Sequence, residues 1–171
     1  MSVSSVVLIG MPGAGKSTVG ILLAKEMGLD FVDTDISIQV REGKTLQQIT
    51  DQSGYLTLRD IEEQVLLAEK IIGKVVSTGG SAVYSEAGMT HLAQDSVAVF
   101  LDVPLAALEA RISNFSSRGI ARHPGQSFDD LFAERSVLYH RYANICVDCS
   151  TLSIDEVLQK TLRLIAQYPI H

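Results

Sequence analysis

The chain has 171 residues, a formal net charge of −6, 46% hydrophobic residues and 20% charged residues. That length suffices for one domain with a real core, in a composition typical of soluble globular proteins. The acidic balance argues against an electrostatic grip on nucleic acid or an anionic membrane, and no apolar run approaches the roughly 18 residues of a membrane span.

Met1 to Ser5 lacks the basic start and long apolar stretch of a signal peptide, so a cytoplasmic protein is expected. A first strand is predicted over about residues 5–10, around Val6-Val7-Leu8-Ile9. It leads into Gly10-Met11-Pro12-Gly13-Ala14-Gly15-Lys16-Ser17-Thr18 and then a helix over about 16–27, with Val19, Leu22, Leu23 and Met27 on one face. Strand, glycine-rich loop and helix is the context that makes G-x-x-x-x-G-K-[ST] a phosphate site. The glycines let backbone N–H groups point inward, where with the helix N-terminus they form an anion cradle. Lys16 is expected to reach the β- and γ-phosphates and the Ser17 hydroxyl to sit on Mg²⁺. A lysine at a helix start puts positive charge where the macrodipole disfavours it unless an anion is bound.

Gly28 stops the first helix, and Phe31-Val32-Asp33 is a short second strand. Helical stretches follow over Ile36–Arg41 and Thr45–Asp51, with a break at Ser53-Gly54. A long helix over about 55–72 carries Leu58, Ile61, Val65, Ala68 and Ile72 at helical spacing. Val75–Thr78 is the third strand, ended by Gly79-Gly80-Ser81; a helix over about 85–93 and a fourth strand over Ser96–Leu101 come next. Pro104 suits the first turn of a helix running to about Ile112. Residues 113–126 are rich in Ser, Arg, Gly and Pro without an apolar period, the signature of a functional lid. Ser127 caps a helix running to about Tyr142, Ile145–Asp148 is the fifth strand, and Ile154–Ala166 the last helix.

Strands alternating with helices imply an α/β protein, with a parallel sheet covered on both faces and ligands outside the carboxyl ends of the strands. The candidate residues fall just there. Asp33 and Asp35 follow the second strand; in extended chain both side chains point the same way, one towards Mg²⁺ and one towards a substrate hydroxyl. The same pair is also readable as a solvated turn with Asp35 as a helix cap. Gly79-Gly80, after the third strand, lets a ligand approach backbone N–H groups closely. Arg59 has Glu62 and Glu63 at i+3 and i+4, and on that spacing alone reads as a surface ion pair.

Arg135 falls on the apolar stripe formed by Phe128, Leu131, Phe132, Leu138, Tyr139 and Tyr142, so it needs a buried anion. That anion is either an internal carboxylate or a substrate carboxylate held bidentately. Arg118, in Ser116-Ser117-Arg118-Gly119, is placed to close over a transferring phosphoryl group, or is a solvated loop charge; Arg122 is near enough to take the role. Cys146 and Cys149 are spaced C-x-x-C but lack further zinc ligands and do not open a helix, so two buried or half-buried structural thiols are expected.

Taken together, the chain resembles the shikimate kinases. The resemblance runs from the first strand to the last helix and rests on the phosphate loop Gly10–Thr18, Asp33-Thr34-Asp35, Leu58-Arg59-Asp60-Ile61-Glu62-Glu63, Ser77-Thr78-Gly79-Gly80, Arg118, and Glu134-Arg135 followed by Leu138-Tyr139. It implies a three-layer α/β/α P-loop kinase fold, similar to the nucleoside monophosphate kinases, with a five-stranded parallel sheet in order 2-3-1-4-5. The chain would be one domain, with a substrate-binding helical insert at about 34–62 and a lid at about 113–126. The implied activity is transfer of the ATP γ-phosphate to the 3-hydroxyl of shikimate in aromatic amino acid biosynthesis, by a monomer that needs Mg²⁺.

By the same resemblance Asp35 would contact the substrate hydroxyls and help deprotonate the attacking one, and Asp33 would hold Mg²⁺ through water, beside Ser17. Arg59 and Arg135 would clamp the shikimate carboxylate, with Gly79 and Gly80 completing the substrate site and Gly80 offering its N–H to a hydroxyl. Gly13, Ala14, Gly15, Lys16, Ser17 and Thr18 would cradle the nucleotide, Lys16 and Arg118 would stabilise the transferring phosphoryl, and Arg111 would lie near the adenine. The chain departs from the family pattern at Ser81, where a third glycine is usual, and in the lid, which reads Arg118-Gly119-Ile120-Ala121 in place of Arg-Pro-Leu-Leu. Alternatives are a kinase of the same fold for another small hydroxy acid or polyol, gluconate among them, and a non-catalytic nucleotide-binding protein. A GTPase is excluded by the lack of an N-K-x-D motif.

Overall fold

The structure, a computed structural model, describes residues 3–112 and 119–169. Strand β1 (Val6–Ile9) is flanked by β3 (Lys74–Ser77) and β4 (Val97–Asp102), and the sheet is completed by β2 (Asp30–Asp33) and β5 (Ile145–Asp148). The five strands are parallel, in the order β2-β3-β1-β4-β5, with Val6 in register with both Val75 and Val97. Val6, Val7, Leu8 and Ile9 are all fully buried. A strand apolar at every position is what a central parallel strand requires, since neither of its faces meets water.

Helices α1 (Lys16–Met27) and α7 (Ile154–Gln167) pack on each other, α1 beside β2 and β3 and α7 beside β5. Helix α3 (Leu46–Ala68) packs with α4 (Glu86–Ala93), and α6 (Phe128–Tyr142) lies against β4 and a single 3₁₀ turn at Ala82–Tyr84. Helix α2 (Thr34–Glu42) pairs with α3, and α5 (Leu105–Arg111) follows β4. Beside the main core, Ile38, Ile49, Leu58, Val65 and Ala121 form a second small cluster that joins α2 and α3 to the strap at 119–126. Among the described residues no helix is long and apolar enough to cross a membrane.

The expected strands are present to within a residue or two, and the expected break at Ser53-Gly54 is there as well: Gly54, at φ 84° and ψ 164°, is non-helical and parts the two helical segments of α3 at a kink. Two boundaries differ for physical reasons. Helix α3 ends at Ala68, and Ile72 is 70% exposed while its neighbour Ile71 is buried, so Ile72 lies off the apolar face. Helix α2 begins at Thr34, directly after β2, because the Asp33 carboxylate accepts from the N–H groups of Asp35 and Ile36. Asp33 is therefore the cap and Asp35 stands in the first helical turn, not in extended chain.

Candidate active site

The carboxyl ends of β1, β2 and β3 open into a cavity of about 380 Å³, whose walls include Lys16, Asp35, Glu62, Gly80, Ser81 and Arg135. The cavity runs continuously from the phosphate loop to the insert and the strap. Gly13, Gly15, Ser17 and Thr18 line its nucleotide half.

Helix α1 starts without a side-chain cap: Gly15, at φ 91°, precedes it in the left-handed region and no acidic residue stands in its first turn. By contrast α2, α3, α4, α6 and α7 are each capped by an Asp, Ser or Thr side chain. The uncapped N–H groups of α1 thus remain available to an oxyanion. Lys16 is buried, with Nζ donating to the carbonyls of Gly10 at 2.8 Å and Met11 at 2.9 Å. Burial lowers its pKa to about 8 against the opposing pull of Asp35 and Asp33. Ala14 is buried beneath the loop, and the Arg111 guanidinium reaches the Gly13 carbonyl at 3.3 Å from the exposed end of α5.

Asp33 divides its two oxygens. One caps α2, and the other accepts from the Ser17 hydroxyl. Asp35 faces the cavity, and burial followed by repulsion from Asp33 raises its carboxyl to about 6, offset by Lys16 and Arg135. Site side chains approach Gly79 and Gly80 closely: a Cβ at Gly79 would stand 2.6 Å from Asp35 Oδ1 and displace it, and one at Gly80 would stand 2.7 Å from Arg135 Nη1 and 2.8 Å from the rigid Pro12 ring. Gly79 lies behind the cavity wall with its N–H donated to Thr34 Oγ1, so the surface presented to a ligand is that of Gly80. The Tyr139 hydroxyl fixes the Gly80 carbonyl at 2.6 Å.

Arg135 is 1% exposed, as its place on the apolar stripe of α6 requires. Its Nη2 donates to the Ala121 carbonyl at 2.7 Å, and Arg59 Nη2 reaches the same carbonyl at 3.4 Å. Neither arginine forms an ion pair among the described residues, and the buried Nε of each has no hydrogen-bond partner. The surface ion pair of Arg59 with Glu62 and Glu63 does not form. Glu62 is 2% exposed and accepts from the Ser81 hydroxyl, while Glu63 accepts from Ser85.

Arg118 lies outside the described residues, as does the rest of the expected lid before Gly119. Arg122 donates to the Gln126 carbonyl within the strap. Cys149 is buried as expected, but Cys146 is exposed, because the pleat of β5 turns alternate side chains outward. Among the described residues no group of His, Cys, Asp and Glu forms a metal-binding cluster.

Sequence reasoning missed three participants. Glu62 follows Leu58 by four residues and precedes Val65 by three, so it breaks the apolar stripe of α3 just as Arg135 breaks that of α6; the signal was present. Tyr84, whose ring lies under Arg59, and the Ala121 carbonyl carry no comparable signal.

A parallel sheet in the order 2-3-1-4-5, with a phosphate loop after its first strand and an uncapped helix behind the loop, defines a P-loop kinase. The family model for shikimate kinase matches residues 12–166. A shikimate kinase of Pseudomonas fluorescens is 35% identical over 169 residues, covering 96% of this chain and 98% of that protein. One from Mycobacterium avium is 39% identical over 145 residues, covering 83% and 82%. The solved structure of the Acinetobacter baumannii shikimate kinase in complex with shikimate superposes with a TM-score of 0.85 at 27% identity, covering 98% of this chain and 96% of that one. The chain belongs to the shikimate kinase family and is an ATP-dependent phosphotransferase.

Proposed function

We propose that the chain transfers the γ-phosphoryl group of ATP to the 3-hydroxyl of shikimate, with each half of the cavity holding one substrate. The observation that carries this reading is the pair Arg59 and Arg135: two guanidinium groups on the acceptor side, unpaired with any carboxylate among the described residues, each with a buried Nε that lacks a partner. A buried cation without an anion is costly, and a guanidinium fork suits a carboxylate. Shikimate supplies one carboxylate, and a neutral polyol supplies none.

In this reading Asp35 accepts the proton of the attacking hydroxyl. A carboxyl near 6 is basic enough to assist and still ionised at neutral pH. The Gly80 N–H holds a neighbouring hydroxyl. Lys16 exchanges the loop carbonyls it now touches for phosphate oxygens and, with the N–H groups of the loop and Arg118, stabilises the charge of the transferring group. Arg111 stands beside the nucleotide base.

Ser17 and Asp33 are a hydroxyl and a carboxylate in contact, hard oxygen donors that suit Mg²⁺ held mainly by phosphates and water. When bound there, Mg²⁺ supplies charge neutralisation at the phosphates. The test is a transfer assay with ATP, Mg²⁺ and shikimate, run against quinate and gluconate. Efficient turnover of shikimate is expected, and preferential turnover of gluconate would overturn the assignment.

A further inference from the structure

Arg59 and Arg135 come from different helices, carry the same charge, and converge on the Ala121 carbonyl. Like charges brought together in a partly buried site need a compensating group, and no carboxylate pairs with either among the described residues. The group they share is the ring of Tyr84. The guanidinium carbon of Arg59 stands 3.6 Å from its centroid and that of Arg135 stands 5.5 Å away. Arginine stacks readily on an aromatic face, whose negative quadrupole favours the cation without occupying its N–H groups. Tyr84 is held in turn: it ends the 3₁₀ turn that follows Gly79-Gly80-Ser81, and its hydroxyl donates to Glu134 on α6, the residue before Arg135.

We propose that Tyr84 is a positioning residue for the acceptor's carboxylate. Its ring sets the orientation of both guanidinium groups while their Nε–H edges stay uncommitted. A carboxylate partner at this place would have consumed those edges and competed with the substrate; the ring does neither. This inference rests on the carboxylate clamp proposed above.

The test compares Tyr84→Met, which fills similar space without a ring, with Tyr84→Phe, which keeps the ring and deletes the hydroxyl with its contacts to Glu134 and Arg135. For each variant KM and kcat are measured with shikimate and with its methyl ester, together with KM for ATP. Tyr84→Met is expected to raise KM for shikimate about 5- to 20-fold, with a much smaller change in kcat and none in KM for ATP. Its preference for the acid over the ester should narrow, and Tyr84→Phe should recover most of the loss. A Tyr84→Met enzyme with wild-type KM and wild-type discrimination overturns the proposal. So does an equal loss in Tyr84→Phe, which would assign the effect to the hydroxyl and its contacts rather than to the ring. A wild-type enzyme that accepts acid and ester alike removes the clamp itself and this inference with it, whereas discrimination in the wild type that survives unchanged in Tyr84→Met removes only the role of the ring.

Discussion

The Ser81 hydroxyl donates to Oε2 of Glu62 inside the acceptor half of the cavity. Ser81 follows directly on Gly79-Gly80, and it is buried. Its side chain therefore takes cavity volume but returns a partner to a carboxyl that would otherwise face the interior without a hydrogen bond. Glu62 also neighbours Asp35, so two carboxyls and Arg135 line the acceptor half, and the charge of Arg59 reaches Glu62 from beyond the lining.

Burial, with Asp35 adding to it, raises Glu62 from an ordinary 4.5 to about 7. A carboxyl whose pKa rises on folding binds its proton more tightly in the folded chain. Its contribution to stability is full below about 4.5 and is lost as pH climbs through about 7. Glu62→Gln cannot lose that contribution. Its melting temperature relative to wild type should therefore rise between these two pH values and level off above them. A difference in melting temperature that stays constant across this window would show that Glu62 is not strained by burial.

Asp35→Asn should lower kcat by roughly 10²–10⁴-fold while leaving KM for ATP nearly intact, since the lost group serves the acceptor. In the wild type, kcat/KM for shikimate should climb with pH through an acid limb near 6, where Asp35 ionises. Equal loss of ATP binding and turnover in the variant would move Asp35 to the nucleotide side.

Lys16→Ala should lower transfer by about 10²-fold or more, the scale of a lost transition-state charge contact. It should also leave the chain folded, because burial already disfavours the charged ammonium there. Circular dichroism beside the transfer assay checks both halves of this expectation; wild-type turnover would exclude the loop as the catalytic cradle.

Arg135→Ala should raise KM for shikimate by a factor corresponding to several kcal/mol if the contact is desolvated. The wild-type enzyme should discriminate against the methyl ester of shikimate, and the variant should discriminate far less. Altering residue and ligand in turn isolates the pairwise contact.

The sheet and the phosphate loop were legible because both are local patterns: four apolar residues in a row for β1, then glycines and a lysine at fixed spacing. Arg135 was legible because one charge interrupts a regular apolar stripe. Glu62 interrupts its stripe in the same way but was read as the partner of Arg59, since helical spacing shows which residues are neighbours and not which of them is buried. The start of α2 depended on which aspartate would cap it, a choice between two side chains two residues apart. Tyr84 meets the arginines only because the turn after β3 and helix α6 come together in space, and no period along the chain encodes that meeting.

The Ala121 carbonyl that receives both Arg59 and Arg135 belongs to the main chain, and an acceptor of that kind has a hereditary consequence. Substitution of one residue for another leaves it in place, so drift in the composition of the strap cannot delete the tie between strap and helices. Only a change in strap length, an insertion or deletion between Gly119 and Ser127, would carry it out of register with the two arginines. Among descendants of this sequence the strap should therefore hold its length and vary in residue type at its exposed positions His123 and Pro124, while Gly119, whose Cβ would strike the main chain of Leu46 and Gln47, and the buried Ala121 stay small.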